Sequence, residues 1–509
     1  MDTLGVIASN VIQWSALTLL FVFGLGIIFV AVLYVIDRTQ TRQTIRRNYP
    51  VVGRFRYFFE HLGEFFRQYF FAMDREELPF NRAERSWAYR AAKKSDTTIA
   101  FGSTRALDRE GEPIFINSAF PTLDEDTAQP KAVTIGENYS KYPYTNSNII
   151  HISGMSYGSI SKPAILALSR GAKEAGVWLN TGEGGLSSFH LDGGCDVVFQ
   201  IGTAKYGVRN EEGNLCNDKL REVASHPEIK MFEIKMSQGA KPGKGGILPA
   251  EKVSPEIAKI RGIEEGQASL SPNGHTDIHS VDDLLDMINR IRDVTGKPTG
   301  FKIVVGSMEF FDNLCRRIHD RGIQSAPDFI TLDSADGGTG AAPQPLMDWV
   351  GMPIKQSLPE VVDLISAYNL RERIKLVASG KLITPGQVAW ALSSGADFVT
   401  SARGFMFALG CIQALQCNKN TCPTGIATHD KDLQRGLVPE EKATRVASFA
   451  KKIDYGVGLI AHSCGVREPR ELNRNHVRII EHSGRSKLYS EIYPTPEVKP
   501  QYIAVSSDT

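Results

Sequence analysis

From about Asn148 onward the chain repeats one pattern eight times: a short apolar run that ends in small or polar residues, usually followed by a longer amphipathic stretch. The apolar runs are Ile149–Ser153, Val177–Asn180, Val197–Ile201, Met231–Lys235, Phe301–Val305, Phe329–Leu332, Lys375–Ser379 and Phe398–Ser401. Helical stretches between them include Lys162–Ala175, Val281–Arg292, Leu358–Tyr368 and Pro385–Leu392. This alternation calls for parallel strands joined by crossover helices. Eight such units in about 270 residues match an α/β protein of the (β/α)8 TIM-barrel type. An open doubly wound sheet is the competing fold. It predicts a glycine-rich dinucleotide turn after the first strand, and SGMSYG lacks the GxGxxG spacing.

Function in such barrels sits at the C-terminal ends of the strands. The polar and glycine-rich clusters fall there: SGMS, NTGEGG, MSQGAKPGKGG, DSADGGTGAAP, ASGK and SARG, after strands one, two, four, six, seven and eight. Glycine at these points lets backbone amides approach a ligand. The loops after strands seven and eight form the usual phosphate cradle of these barrels. Here they are Ser379-Gly380-Lys381 and Ser401-Ala402-Arg403-Gly404, and Arg403 adds a planar charged fork. A strand–turn–helix with a surface arginine is the alternative.

Three of the seven cysteines cluster as Cys411, Cys417 and Cys422, spaced C-x5-C-x4-C. Thiolates ligate iron–sulfur clusters, and three ligands suit a three-iron cluster. His429 is near enough in sequence to make a four-ligand zinc site. Buried free thiols are the third reading. Seven cysteines in 509 residues are no disulfide scaffold, which points to a reducing compartment.

The other end of the chain is not globular in pattern. Val11 to Ile36 is apolar and uncharged, with only Asp2 charged before it. That length spans a bilayer core of roughly 30 Å. A signal peptide fits poorly, because the run is long and no small-residue cleavage site follows. Arg38, Arg42, Arg46 and Arg47 follow the run and place the bulk of the chain in the cytoplasm by the positive-inside rule. Between 50 and 90, Phe55, Tyr57, Phe58, Phe59, Phe65, Phe66, Tyr69, Phe70 and Phe71 interleave with Arg54, Arg56, Arg67 and Arg75. This stretch suits a membrane interface or a helix packed on its own domain. Glu60, Glu64, Asp74, Glu76 and Glu77 dilute its charge, and the whole chain carries only +1, so nucleic-acid binding is not expected. The sequence thus divides into an anchor (1–37), a juxtamembrane region (38–95), a barrel with the cysteine motif (96–436) and a C-terminal extension (437–509). The extension reads as helical up to Ile480, then rich in Pro and Ser with a loose end.

Several of these motifs, in order, resemble the FMN-binding synthase domain of glutamate synthase over roughly residues 95–430. They are Ser153-Gly154-Met155-Ser156, Asn180 to Gly185 and Gln238 to Gly243, then Ser271-Pro272 with His275 to Ile278. Phe301-Lys302-Ile303, Asp336 to Ala341 and the cysteine segment complete the series. The stretch 377–410 resembles the phosphate half of FMN-dependent barrels. With the N-terminal span, the chain is similar to FMN-binding glutamate synthase family proteins.

The resemblance implies one FMN, one [3Fe-4S] cluster on Cys411, Cys417 and Cys422, and reductive amination of 2-oxoglutarate, through 2-iminoglutarate, to glutamate. It implies that Ser153, Gly154, Met155 and Ser156 lie along the flavin ring. Gly337, Gly338, Ser379, Gly380, Ala402 and Arg403 complete the cofactor site. Lys302 would point into the barrel mouth and oppose negative charge on flavin or substrate. Glu183 would orient the imine or shuttle a proton, with a solvated loop glutamate as the alternative.

The sequence departs from the family in three ways. No glutaminase can be assigned, because the chain opens Met1-Asp2 rather than with a cysteine nucleophile; ammonia or a partner must supply nitrogen. No nicotinamide unit is visible, so a separate electron-donor protein is expected. The family's Asp-Gly-Gly after strand seven is Ser379-Gly380-Lys381, and the segment after Lys302 diverges. The second change puts 2-oxoglutarate in question. A related reaction on another amino donor, or a membrane-bound FMN/iron–sulfur electron-transfer subunit, is the alternative function.

Overall fold

The computed structural model describes residues 3–506. Met1, Asp2 and residues 507–509 lie outside the described residues, as do the side chains of Thr3, Leu4, Glu64, Phe65, Gln68 and residues 504–506. The chain forms two compact units, Met1–Arg82 and Ala83–Thr509. In the first, the apolar run is one helix, α1 (Thr3–Thr39), long and apolar enough from Gly5 to Thr39 to cross a membrane. Residues 40–52, with a short helical segment at Thr44–Asn48, lead to α2 (Gly53–Phe66), which runs on into a last coil at Arg67–Phe71.

In the second unit eight parallel strands close into a ring. They are β1 (Ile150–Ile152), β2 (Leu179–Asn180), β3 (Val197–Ile201), β4 (Ile229–Lys235), β5 (Thr299–Val304), β6 (Phe329–Asp333), β7 (Lys375–Ser379) and β8 (Phe398–Ser401). Closure comes from β8 pairing on β1, with Val399 beside Ile150. The expected barrel is therefore the fold. β3, β7 and β8 have the predicted bounds, while β2 starts two residues later than expected, its pairing on both neighbours beginning at Leu179.

Helices follow the strands: α3 (Lys162–Ala175), α4 (Asn217–Ser225), α5 (Val281–Thr295), α6 (Met308–Arg321), α7 (Ile354–Ala367), α8 (Pro385–Ser393), α9 (Arg403–Leu409) and α10 (Pro439–Ser463). Their starts are written locally. Ser161 accepts from the Ala164 amide, Thr384 forms a capping box with Gln387, and Ser280 accepts from Asp283. Gly176 ends α3 in the left-handed conformation. α10 lies against α3 where Gly171 has no side chain; a Cβ there would meet Ala443 O at 2.6 Å. The segment from 437 thus supplies the helix that follows β8. The expected helical stretch ends at Ser463: Val477–Ile480 is a strand, paired antiparallel with Pro113–Phe115 and Ser486–Leu488. Its alternating side chains found a partner edge far upstream that no local pattern reveals. Near the end of the described chain, Tyr502 stacks on His319 at 4.1 Å.

Strand side chains alternate between the ring's interior and its helical coat. The lower interior is apolar: Trp178, Val198, Met231, Phe329, Val377 and Phe398 pack on one another. A hairpin of Val133–Ile135 and Tyr144–Asn146 plugs this end with Ile135 and Tyr144. His151 belongs to the plug, stacked on Trp178 at 3.3 Å. Its Nδ1 accepts from the Trp178 amide and its Nε2 meets Asn148 O, so burial holds it neutral and well below the usual histidine range. Gly300 leaves room for this packing, since a Cβ there would stand 2.1 Å from Phe329 O. Gly300→Val should cost about 3 kcal/mol or more through overpacking against backbone. The check is the thermal unfolding midpoint, and an unchanged midpoint would show that β5 and β6 can part without penalty.

Candidate active site

Two residues further along each strand the interior turns polar. Asn180, Glu233, Lys302, Thr331 and Thr400 line one cavity with Ser153. Glu233, 3% exposed, takes hydrogen bonds from Asn180 Nδ2 at 2.8 Å, Gln200 Nε2 at 2.6 Å and Thr331 Oγ1 at 2.6 Å. One carboxyl thereby joins β2, β3, β4 and β6. Thr400 Oγ1 is buried in this layer with no partner.

Above it, Lys302 Nζ sits 3.3 Å from Asp333 Oδ2. Burial alone would raise the Asp333 carboxyl; Lys302, the Gly239 amide at 2.9 Å and the Ser379 hydroxyl outweigh it and lower it. Lys302 thus points into the mouth, as expected, but with a paired charge. Its register partner on β4 is Lys235.

Lys235 carries the second group. Its Nζ lies 2.9 Å from Glu183 Oε1, with Lys241 Nζ at 3.8 Å. Glu183 is therefore no solvated loop residue. Burial opposes its charge, but Lys235 and Lys241 prevail and hold it at about 2. Burial pushes Lys241 down to about 8, against the pull of Glu183 and with the push of Lys235. Arg261 is 5% exposed, bonds Ser269 Oγ at 3.0 Å and Tyr157 O at 3.2 Å, and leaves Nε without a partner. Glycines shape the space: a Cβ at Gly246 would meet Glu183 Oε1 at 2.6 Å, and one at Gly202 would meet Glu183 Cβ at 2.6 Å. His275 Nε2 meets Lys235 O at 3.0 Å, and its Nδ1 is buried without a partner. Lys205 and Asp277 stand 2.9 Å apart, but not in hydrogen-bond alignment, so theirs is a charge contact only.

The loop after β1 packs into the loop after β2. A Cβ on Gly154 would lie 2.9 Å from Asn180 Oδ1, and one on Gly182, at φ 65°, would lie 2.5 Å from the Ser156 amide nitrogen. The Ser153 amide is used in the barrel, donating to Ser401 O at 3.2 Å, and Met155 is buried. On the phosphate side Gly338, Gly380 and Arg403 come together with Gly337 and Ala402. A Cβ on Gly338 would press on the Arg403 guanidinium at 2.5 Å, and one on Gly380, at φ 117°, on Ser334 at 2.4 Å. Arg403 is not a surface arginine; burial lowers it, while Asp336, Asp333, Cys411 and Cys417 hold it charged. Lys381 Nζ pairs with Asp336 at 2.9 Å, a countercharge the sequence did not suggest.

Cys411, Cys417 and Cys422 sit near enough to perturb one another. Burial pushes Cys411 up to about 12 and raises Cys417 as well. Cys422 is lowered, because the Thr424 hydroxyl and the amides of Ala427, Thr424 and Ile426 outweigh burial. Among the described residues, no three His, Cys, Asp or Glu side chains converge on a point that would hold one metal ion. His429 is turned away, its Nε2 2.8 Å from Gly158 O. The buried Lys252 ammonium donates to Cys417 O and Ala427 O, both at 2.7 Å.

Sequence reasoning missed Glu233, Gln200, Lys235, Arg261, Asp333 and Lys252 as site residues. A signal existed for three of them: Gln200 in VVFQI, and Glu233 and Lys235 in MFEIK, are polar residues at the inward beat of apolar strands.

The conserved region in glutamate synthase matches residues 107–467 of this chain. Glutamate synthase large subunit-like protein YerD of Bacillus subtilis (strain 168) is 39% identical over 494 residues, covering 90% of this chain and 93% of that protein. The archaeal glutamate synthase (NADPH) of Methanocaldococcus jannaschii is 33% identical over 338 residues, 65% of this chain and 61% of that protein. Among solved structures, a mandelate oxidase variant with 2-hydroxy-phenylacetamide superposes with a TM-score of 0.44 at 15% identity, covering 80% of this chain and 90% of that one. The chain belongs to the family defined by the conserved region in glutamate synthase.

Proposed function

We propose that this protein is a glutamate-synthase-like flavin oxidoreductase that reductively aminates 2-oxoglutarate, through 2-iminoglutarate, to glutamate. The observation that carries the reading is the charge balance at the mouth. Lys302 and Asp333 cancel, as do Lys205 and Asp277, whereas Glu183 faces Lys235, Lys241 and Arg261. One carboxylate against three cations leaves two positive charges, the complement of a dicarboxylate. Family membership supports the same reading.

FMN fits the residues present. Gly154, Gly338 and Gly380 let the loops after β1, β6 and β7 close tightly on their neighbours, and Arg403 offers a half-buried cation beside Gly338. A [3Fe-4S] cluster fits the donor set on Cys411, Cys417 and Cys422, because each thiolate of a cluster binds its own iron and the sulfurs need not meet at one point. The amides around Cys422 suit a thiolate ligand. When bound, these groups would supply the reducing electrons, drawn from a separate donor protein, with ammonia or a partner supplying nitrogen.

The chain's own residues would do the rest. Lys235, Lys241 and Arg261 would hold the carboxylates, and Lys302, 3.3 Å from Asp333, would oppose negative charge developing beside it. Glu183, ionised at neutral pH, would take up the proton released as ammonia adds to the 2-oxo carbon, and would accept a hydrogen bond from the imine nitrogen and so fix its orientation. Lys235, Lys302 and Asp333 stand on strand ends and are held by the barrel, while Glu183, Lys241 and Arg261 reach the same space from the loops above it.

Four outcomes follow from this geometry. Dithionite-reduced protein given 2-oxoglutarate and ammonia without air should reoxidise its flavin and yield glutamate; reduced flavin indifferent to both compounds would discard the reading. Lys302→Ala should lower turnover at least about a hundredfold, and near-normal rates would remove Lys302 from the chemistry. Dicarboxylate affinity should fall as pH rises through about 8, because Lys241 is cationic below that value and neutral above it. Calorimetric titration of Lys241→Met should show that step missing. Cys417→Ala should lose iron and sulfide, and unchanged contents would exclude ligation there.

A further inference from the structure

The first unit carries an apolar surface that the proposed chemistry does not use. On α2, Phe55, Phe58, Phe59 and Phe66 fall within one stripe at helical spacing, and Phe70 and Phe71 continue it. These rings are bare: Phe58 is 57% exposed, Phe70 72% and Phe71 76%. They touch mainly one another, Phe58 to Phe59 at 5.3 Å and Phe66 to Phe70 at 5.0 Å. The opposite side of α2 carries Arg56, Glu60 and His61. Within the first unit these exposures leave the stripe uncovered.

What covers such a stripe is set by what it is joined to. α2 begins just beyond the polar end of α1, and the turn between them is locked. Asp37, fully buried, receives Arg46 Nη2 at 2.6 Å, Arg54 Nε at 2.8 Å and the Val51 amide at 3.0 Å. These contacts reach 9, 17 and 14 residues along the chain, so they fold the turn back on the end of α1. Gly53 permits the fold, since a Cβ there would stand 2.9 Å from Ile45 O. The aromatic stripe is thus fixed at the end of the apolar helix, among the exposed Arg42, Arg47, Arg56 and Arg67. An apolar stripe of phenylalanine rings flanked by cations matches the headgroup–acyl boundary of an anionic bilayer.

We infer that α2 and residues 67–71 lie in the membrane interface as a second, anionic-lipid-binding attachment beside α1, held there by the Asp37–Arg46–Arg54 clamp. The attachment adds to the enzymatic reading and is independent of it.

The test uses the full chain in vesicles of phosphatidylcholine and phosphatidylglycerol that contain a phosphatidylcholine with a diazirine in its acyl chain. After illumination, adducts are mapped by mass spectrometry. Adducts should appear on α1 and on 55–71, but not on the exposed Phe120 or Trp349 of the second unit. Phe58→Glu with Phe59→Glu should cut the yield on 66–71 by about tenfold while α1 stays labelled. Omitting phosphatidylglycerol should lower it too. Adducts on α1 alone overturn the interfacial placement and leave the span standing. Adducts on neither overturn both, as does equal labelling of Phe120 and Trp349. Cross-links from 55–71 to a second copy, without lipid adducts, assign the stripe to a protein interface instead and also overturn it.

Discussion

Everything at the mouth of this barrel stands on one buried carboxyl. Glu233 sits in the interior with Asn180, Gln200 and Thr331 donating to it. Removing such a group from water without partners would cost several kcal/mol, so these donors are obligatory. With Glu233 they span four strands, and a one-residue slip of any strand would turn its polar group to the helical coat. Glu233 therefore ties register to chemistry. With it satisfied, Lys302, Asp333, Lys235 and Ser379 are fixed in the next layer up. With the apolar plug around Trp178 below, the polar layer cannot sink.

The layers also explain how so much charge is tolerated. Lys302 has Asp333 at 3.3 Å, Glu233 is met by three neutral donors, and the remaining buried charge gathers around Glu183. That group is the exception, with more cations than anions. Lys241 shows its strain by being pushed to about 8. A site whose lysine gives way under burial, with a second lysine beside it, is one that an anion relieves. On the phosphate side the balance is different: Asp336 already answers Lys381, so a bound phosphate depends on Arg403 and on backbone amides more than on net charge.

The barrel is legible in the sequence because closure imposes a strict rule on short segments. Each strand is buried on both faces and reads as a short apolar run, and VVFQI, KLVAS and FVTS do so with bounds that hold to the residue. Glu183, Lys302 and Arg403 are legible because they lie in glycine-rich or apolar contexts that a surface residue does not need. Arg261 and Lys252 are not, because their roles come from partners far away in sequence: Tyr157 and Ala427. The strand Val477–Ile480 escapes local reading for the same reason, its partner being Pro113–Phe115. Local pattern reports what a segment requires; it does not report who meets the requirement. Asp37 is the sharpest case, a charge at the end of an apolar helix whose meaning lies in two arginines after the next turn.

Those long-range partners also join the cysteine loop to the substrate side. Lys252 follows the loop that carries Lys241, and its ammonium holds the carbonyls of Cys417 and Ala427. A little further on, Glu256 accepts from Tyr157 Oη at 2.7 Å, just after the loop that follows β1. His429, just past the cysteines, reaches Gly158 O. Three loops from β1, β4 and β8 are thus bonded into one body through buried polar contacts. In such a body the sulfurs and the group around Glu183 cannot shift independently, since moving either would strand a buried ammonium or carbonyl. The chain thereby fixes the path between its proposed electron entry and its substrate charges by hydrogen bonding, where the glycine-rich loops alone would leave it loose.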